Sequence, residues 1–208
     1  MKTKLCLLIL LIVGLSVQLS ANPINGLLER IDKGASKKFV IEFKKGADDF
    51  FELDQKGTKV VVRGNNYVNI ATGINWYLKY YAGIQLSWNG MQAKLPQVLP
   101  PVPRKERHET SLSLRYDFNY CTYSYTMAFW DWERWEKEID WMALHGINLP
   151  LAAVGQECIW FNMLQKLGYS KDEINRFIAG PAFLAWWAMN NLEGWGGPNP
   201  DSWYVQQE

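Results

Sequence analysis

The sequence predicts an α/β protein: a small N-terminal α/β domain followed by the first βα units of an incomplete (β/α)8 TIM barrel. Three observations predict it. Hydrophobic periodicity alternates between the period of two expected of strands and the 3.6 expected of helices. Glycine, proline and asparagine punctuate these segments where elements must end. At Ser111 the texture changes, with nine of the eleven tryptophans beyond it. From there the order is strand, loop, helix, strand, which is the βα unit of a parallel sheet.

The first 21 residues read as a cleavable signal peptide. Lys2 and Lys4 precede an apolar run from Leu5 to Leu15, then polar Ser16, Gln18 and Ser20, then Ala21. The run is shorter than the roughly 20 apolar residues that span a bilayer. The expected location is therefore secreted, periplasmic or cell-surface, with no membrane contact beyond the leader.

Residues 22–95 read as the small α/β domain. Ile24, Leu27, Leu28 and Ile31 keep a helical period. Residues 39–43, 50–53 and 59–63 read as strands, with turns at Lys45-Gly46 and Lys56-Gly57. Asn65 or Asn66 caps a helix with an apolar face of Tyr67, Ile70, Ile74, Tyr77, Leu78 and Tyr81, ended by Gly83. A further strand is expected around residues 84–88. Residues 96–110 carry four prolines and then a basic cluster, and read as an extended linker.

Residues 111–208 read as the start of the barrel. Leu112, Leu114, Tyr116 and Phe118 alternate with polar residues, as in a strand. Residues 121–126 read as a loop. An amphipathic helix spans about 130–145, with Trp132, Trp135, Ile139 and Met142 on one face and Glu133–Lys137 and Arg134–Glu138 as i,i+4 ion pairs. Gly146 ends it, and residues 147–153 read as a buried strand in which Pro150 is out of place. Further helices are expected at 158–167, after a capping box at Ser170–Glu173, and after Pro181. A (β/α)8 barrel needs roughly 200–250 residues. Ser111 to Glu208 provides 98, enough for its first two strands. A complete small α/β domain is the other reading of these elements.

Composition removes several function classes. A chain 48% hydrophobic and 21% charged is not disordered. Without the leader, 20 basic residues face 21 acidic ones, so the basic excess that a nucleic-acid surface needs is missing. Beyond the leader only Cys121 and Cys158 remain, either bridged or free. Neither they nor His108 and His145 have metal-ligand spacing. No metal and no cofactor is expected.

In parallel α/β folds ligands bind at the carboxyl ends of the strands. That rule selects residues 119–125 and 154–157. Asn119 and Gln156 are amides that donate and accept at once, as sugar hydroxyls require. Tyr123, Tyr125, Trp186 and Trp195 either stack on a sugar ring or fill the core. Glu157 is either a site carboxylate or a first-turn residue favoured by the helix dipole. Cys121 reads more simply as a small buried thiol than as a nucleophile. The sequence has no nucleophile elbow, Walker loop or dinucleotide fingerprint, and no two carboxylates declare themselves a pair.

Residues 115–122, 129–144, 146–149, 155–157 and 180–186 together resemble the alpha-N-acetylglucosaminidases, glycoside hydrolase family 89. The likeness is dense from about Leu114 to Trp203, and residues 22–95 fit the small domain that precedes the barrel in that family. The resemblance implies exo-acting, retaining hydrolysis of terminal alpha-linked N-acetylglucosamine, on heparan-type chains in lysosomes or mucin-type glycans in bacteria. The partner it implies is a glycan, and a eukaryotic member would be lysosomal. It places the two catalytic glutamates on later strands, beyond Glu208, so the 208 residues are expected to be an inactive fragment. It carries substrate-binding roles to Asn119, Cys121, Tyr125, Gln156, Glu157 and Trp186, and it favours a free thiol at Cys158. Another barrel glycosidase, of hexosaminidase or alpha-glucuronidase type, and a non-catalytic secreted carbohydrate-binding protein are the rival readings.

Overall fold

A computed structural model of the protein describes residues 22–205, which divide into two units, 22–110 and 111–205. The expected signal peptide lies outside the described residues. Among the described residues no helix is long and apolar enough to cross a membrane.

The first unit is a four-stranded mixed sheet with helices packed on it. Helix α1 (Pro23–Ile31) starts with a proline, where the missing N–H costs nothing, and the side chain of Asn22 accepts from Ile24 N at 3.0 Å. Its Ile24, Leu27, Leu28 and Ile31 are buried. Strands β1 (Phe39–Phe43), β2 (Asp49–Lys56) and β3 (Lys59–Gly64) follow as expected. β2 and β3 form an antiparallel hairpin, and β1 lies parallel to β3. Helix α2 (Tyr67–Tyr80) is capped by Asn66, whose side chain accepts from Asn69 N at 2.8 Å. It comes close to the sheet at Gly73, where a Cβ would stand 2.9 Å from Val62 Cγ1.

Residues 96–110 are part of this unit and not a linker. The last five form β4 (Glu106–Thr110), antiparallel to β2, giving the sheet order β1-β3-β2-β4. Leu95, Leu99 and Val102 are buried. The prolines lack donors, but their neighbourhood accepts. Lys38 Nζ donates to Pro96 O at 2.6 Å and Gln97 O at 2.8 Å, and the buried Tyr77 hydroxyl donates to Pro100 O at 2.5 Å. Burial pushes the Tyr77 hydroxyl up to about 12. The strand expected near 84–88 is only a Ser87–Gly90 bridge, anchored by the fully buried Leu86.

β4 is fastened by a charge cluster. Glu52, on the central strand and 2% exposed, meets Lys44 Nζ at 2.7 Å, Lys105 Nζ at 2.9 Å and Arg107 Nη1 at 3.2 Å. Arg107 also lies over the Phe50 ring, 3.7 Å from its centroid. Burial alone would raise the Glu52 carboxyl, but the three cations outweigh it and hold the group at about 2.

The second unit is helical around a minimal parallel ladder. β5 (Tyr116–Asp117) pairs with β6 (Leu149–Pro150), Tyr116 opposite Leu149. Both strands are shorter than the sequence pattern suggests. Leu112, Leu114, Tyr116 and Leu149 are exposed, so among the described residues the alternation has nothing to bury against, and Pro150 has no N–H to extend the ladder. The register is set just outside the strands: Arg115 N donates to Asn148 Oδ1 at 2.8 Å, and Asn148 Nδ2 donates to Ser113 O at 2.9 Å.

The residues expected to loop between them are instead helix α3 (Tyr120–Tyr125). Helix α4 (Trp132–Leu144) starts at Asp131 and keeps both expected ion pairs, each at 2.8 Å. Its buried face differs from the sequence reading. Trp132 is 69% exposed and Ile139 46%, whereas Glu138 is buried against Arg134. Helix α5 (Gln156–Lys166) follows β6, and α6 (Lys171–Phe177) starts with the expected Ser170–Glu173 capping box. A 3-10 turn at Pro181–Phe183 leads into α7 (Leu184–Ala188), and a last turn spans Asp201–Tyr204. Phe161, Ile174, Ile178, Ala179, Trp187 and Tyr204 form a core here, with Phe161 and Tyr204 stacked at 4.0 Å. This matches the mixed α/β reading, a small domain and then the opening βα elements of a barrel, with no closed barrel among the described residues.

Candidate functional site

β5 and β6 are parallel, so the segments that follow them leave from the same end of the ladder. α3 follows β5 and α5 follows β6. This is the end at which parallel α/β folds place ligands.

Between β5 and α3 the chain makes a strained turn. Phe118 has φ +72°, in the left-handed region that bulky residues avoid. Its N–H donates to Asp117 Oδ1 at 2.8 Å. The turn delivers Asn119 as the N-cap of α3, where its Oδ1 accepts from Thr122 N at 3.1 Å and Thr122 reciprocates as a capping box. Asn119 therefore has its oxygen committed to the backbone. Its Nδ2 is the end that can address a ligand.

α3 has two faces with different roles. Tyr120, Tyr123, Ser124 and Met127, spaced i, i+3, i+4, i+7, line a cavity of about 680 Å³. Cys121 and Tyr125, spaced i,i+4, share the other face. Tyr125 is 78% exposed, and its ring meets Trp186 of α7 edge-to-face at 5.0 Å. Ser124 Oγ accepts from Ala185 N at 3.1 Å and locks α3 to α7. Cys121 is a half-buried free thiol and Cys158 a buried one, so the two are not bridged.

Gln156 and Glu157 lie elsewhere. Gly155, with φ +82°, turns the chain into α5, and these two residues open that helix and line the cavity. Its other walls include Trp130, Trp135 and Trp203. Burial pushes the Glu157 carboxyl up, against the pull of its own backbone N–H. Burial likewise raises the Tyr123 hydroxyl, which donates to Leu151 O.

The six residues selected from the sequence thus fall into two groups. Asn119, Cys121, Tyr125 and Trp186 sit on α3 and α7 outside the cavity, and Gln156 and Glu157 sit inside it. The cavity's tryptophans were not selected. The Asn119-x-x-Thr122 capping pair signals only α3 and its cavity-facing side; no local signal marks the tryptophans, which come from other segments. Among the described residues no group of three histidines, cysteines or acids is placed to hold a metal ion.

Two family profiles match the chain. The alpha-N-acetylglucosaminidase (NAGLU) N-terminal domain matches residues 22–101, and the alpha-N-acetylglucosaminidase TIM-barrel domain matches residues 115–208. The human alpha-N-acetylglucosaminidase is 45% identical over 176 residues, 85% of this chain and 24% of the human protein. A family 89 glycoside hydrolase from Clostridium perfringens, solved with 2-acetamido-1,2-dideoxynojirmycin, superposes with a TM-score of 0.83 at 40% identity, covering 88% of this chain and 21% of that one. A double glutamate-to-glutamine variant of the clostridial enzyme, solved with its substrate GlcNAc-alpha-1,4-galactose, superposes equally well. The chain spans about a quarter of the length of these relatives.

Proposed function

The chain belongs to the alpha-N-acetylglucosaminidase family, glycoside hydrolase family 89, and from that premise we propose that it supplies part of the sugar-binding surface of an exported exo-glycosidase that hydrolyses terminal alpha-linked N-acetylglucosamine. The observation that carries this reading is the Tyr125–Trp186 pair, held on the capped α3 and on α7, which is hydrogen-bonded to it, at the ligand end of the parallel strands. An indole offers a pyranose ring a flat apolar face. Asn119 Nδ2 is placed to donate to a ring hydroxyl, and Cys121 shares the Tyr125 face of α3. Gln156 and Glu157, at the same end of the ladder, address substituents that reach the cavity.

The chemistry in this reading is double displacement with retention, through a glycosyl-enzyme intermediate. Its acid/base and nucleophile are glutamates on later barrel strands, standing about 5–5.5 Å apart. Described residues supply binding and no catalytic carboxylate. A protein carrying these residues together with the later barrel strands is expected to release N-acetylglucosamine from GlcNAc-alpha-1,4-galactose, with the α-anomer first in a proton NMR time course. The 208 residues alone are expected to release none. Initial β-anomer would refute retention, turnover by the 208 residues would refute the division of labour, and no release by the longer protein would refute the substrate.

A further inference from the structure

We propose that Trp195 is the platform for the sugar on the reducing side of the scissile bond, a subsite next to the terminal-sugar surface; this rests on the function proposed above. Three observations meet at this residue. The first is continuity. Trp186 lies 6.3 Å from Phe183, and Phe183 lies 6.1 Å from Trp195, so one run of rings leads from Tyr125 to Trp195. The two indoles are at most about 12 Å apart, the reach of linked rings and not of a remote site.

The second is an exposed side chain on a hydrogen-bonded backbone. Trp195 is 63% exposed, although an indole is among the most favourable side chains to bury. Its own carbonyl accepts from Gly180 N at 2.8 Å, and Gly194 N donates to Phe177 O at 3.0 Å. The indole is held out on a pinned loop.

The third is the cost in sequence of building that loop. Gly194 and Gly196, on either side of Trp195, both have φ +64°. A Cβ on Gly180 would stand 1.8 Å from Gly196 O, and one on Gly196 would stand 2.6 Å from the Phe183 ring. Glycine is needed on both sides of this contact, so the backbone can press against Phe183 and present the next ring outward. The ligand class that fits is an uncharged pyranose, stacked through its C–H face.

Glycosyl fluoride and disaccharide separate this subsite from the terminal one, because fluoride leaves as a single atom and offers Trp195 nothing to stack on. In a protein carrying these residues together with the later barrel strands, Trp195→Ala is expected to lower kcat/KM on GlcNAc-alpha-1,4-galactose about tenfold, mostly through KM, and to leave N-acetyl-alpha-glucosaminyl fluoride within about twofold. Trp195→Phe, which keeps a ring, is expected to restore the disaccharide rate to within about threefold. Equal losses on both substrates would show that the indole only holds the loop and would overturn the proposal, as would an unchanged disaccharide rate. If the unsubstituted protein cleaves neither substrate, the underlying glycosidase reading fails instead.

Discussion

In a protein carrying these residues together with the later barrel strands, Trp186→Ala is expected to lower kcat/KM on any terminal alpha-N-acetylglucosaminide about 100-fold, while its circular dichroism stays unchanged. The size follows from what the ring does in this account. A factor of 100 corresponds to about 2.7 kcal/mol of lost transition-state binding, within reach of one flat aromatic face against a sugar. The fold should tolerate the loss because α7 is secured elsewhere. Ala185 and Trp187 are its buried residues, and Ala185 N is bonded to Ser124 Oγ. Trp186 meets Tyr125 and Phe183 at 5.0 and 6.3 Å between centroids, and neither ring belongs to the buried core of α7. Unlike Trp195→Ala, this change should affect the glycosyl fluoride and the disaccharide alike. A loss below about threefold on both would remove Trp186 from the site.

The second large effect is on stability. Glu52→Gln is expected to destabilise the N-terminal unit by about 2 kcal/mol at pH 7, and the difference should vanish near pH 2. Burial penalises the Glu52 carboxylate, but Lys44, Lys105 and Arg107 overcome that penalty and lower the group from 4.5 to about 2. Taken at face value such a shift corresponds to about 3 kcal/mol. The three cations are between about a third and a half exposed, so solvent screening brings it to about 2. The folded state depresses this pKa, so the contribution is complete above the unfolded value of about 4.5. It declines as pH falls from there toward 2. Urea unfolding of both proteins at pH 7 and at pH 2.5 reads this directly. A constant difference across that range would mean that the amide fails for reasons of packing and not of charge.

The N-terminal unit was largely legible because its elements are local. Three short strands with turn glycines, and a helix capped by Asn66, each carry their own signal. What escaped was the role of residues 96–110. Proline content argued for a connector, but the decisive facts are long-range: Pro96, Gln97 and Pro100 carbonyls bonded to Lys38 and Tyr77, and β4 paired to the central strand. No local pattern encodes those partners.

The second unit shows the opposite error. The alternation in residues 112–118 suggested a long strand, yet only Tyr116–Asp117 pairs, because a strand is defined by its neighbours and β5 has one. α3 was misread as a loop although Asn119 and Thr122 announce a capping box; six aromatic and small residues gave too little periodicity to outweigh loop composition. The site suffered accordingly. The rule that ligands sit at strand ends selected residues 119–125 and 154–157, which leave the same end of the ladder. It could not show that the faces of α3 point Cys121 and Tyr125 one way and Tyr120 and Tyr123 the other.

That division makes the central claim testable in one step. The measurement is a crystal structure, with 2-acetamido-1,2-dideoxynojirimycin bound, of a protein carrying these residues together with the later barrel strands. The account predicts the ring of the iminosugar against Trp186 and Tyr125, with Asn119 Nδ2 on a hydroxyl. An iminosugar seated instead among Trp130, Trp135 and Trp203, with Trp186 uncovered, would contradict it.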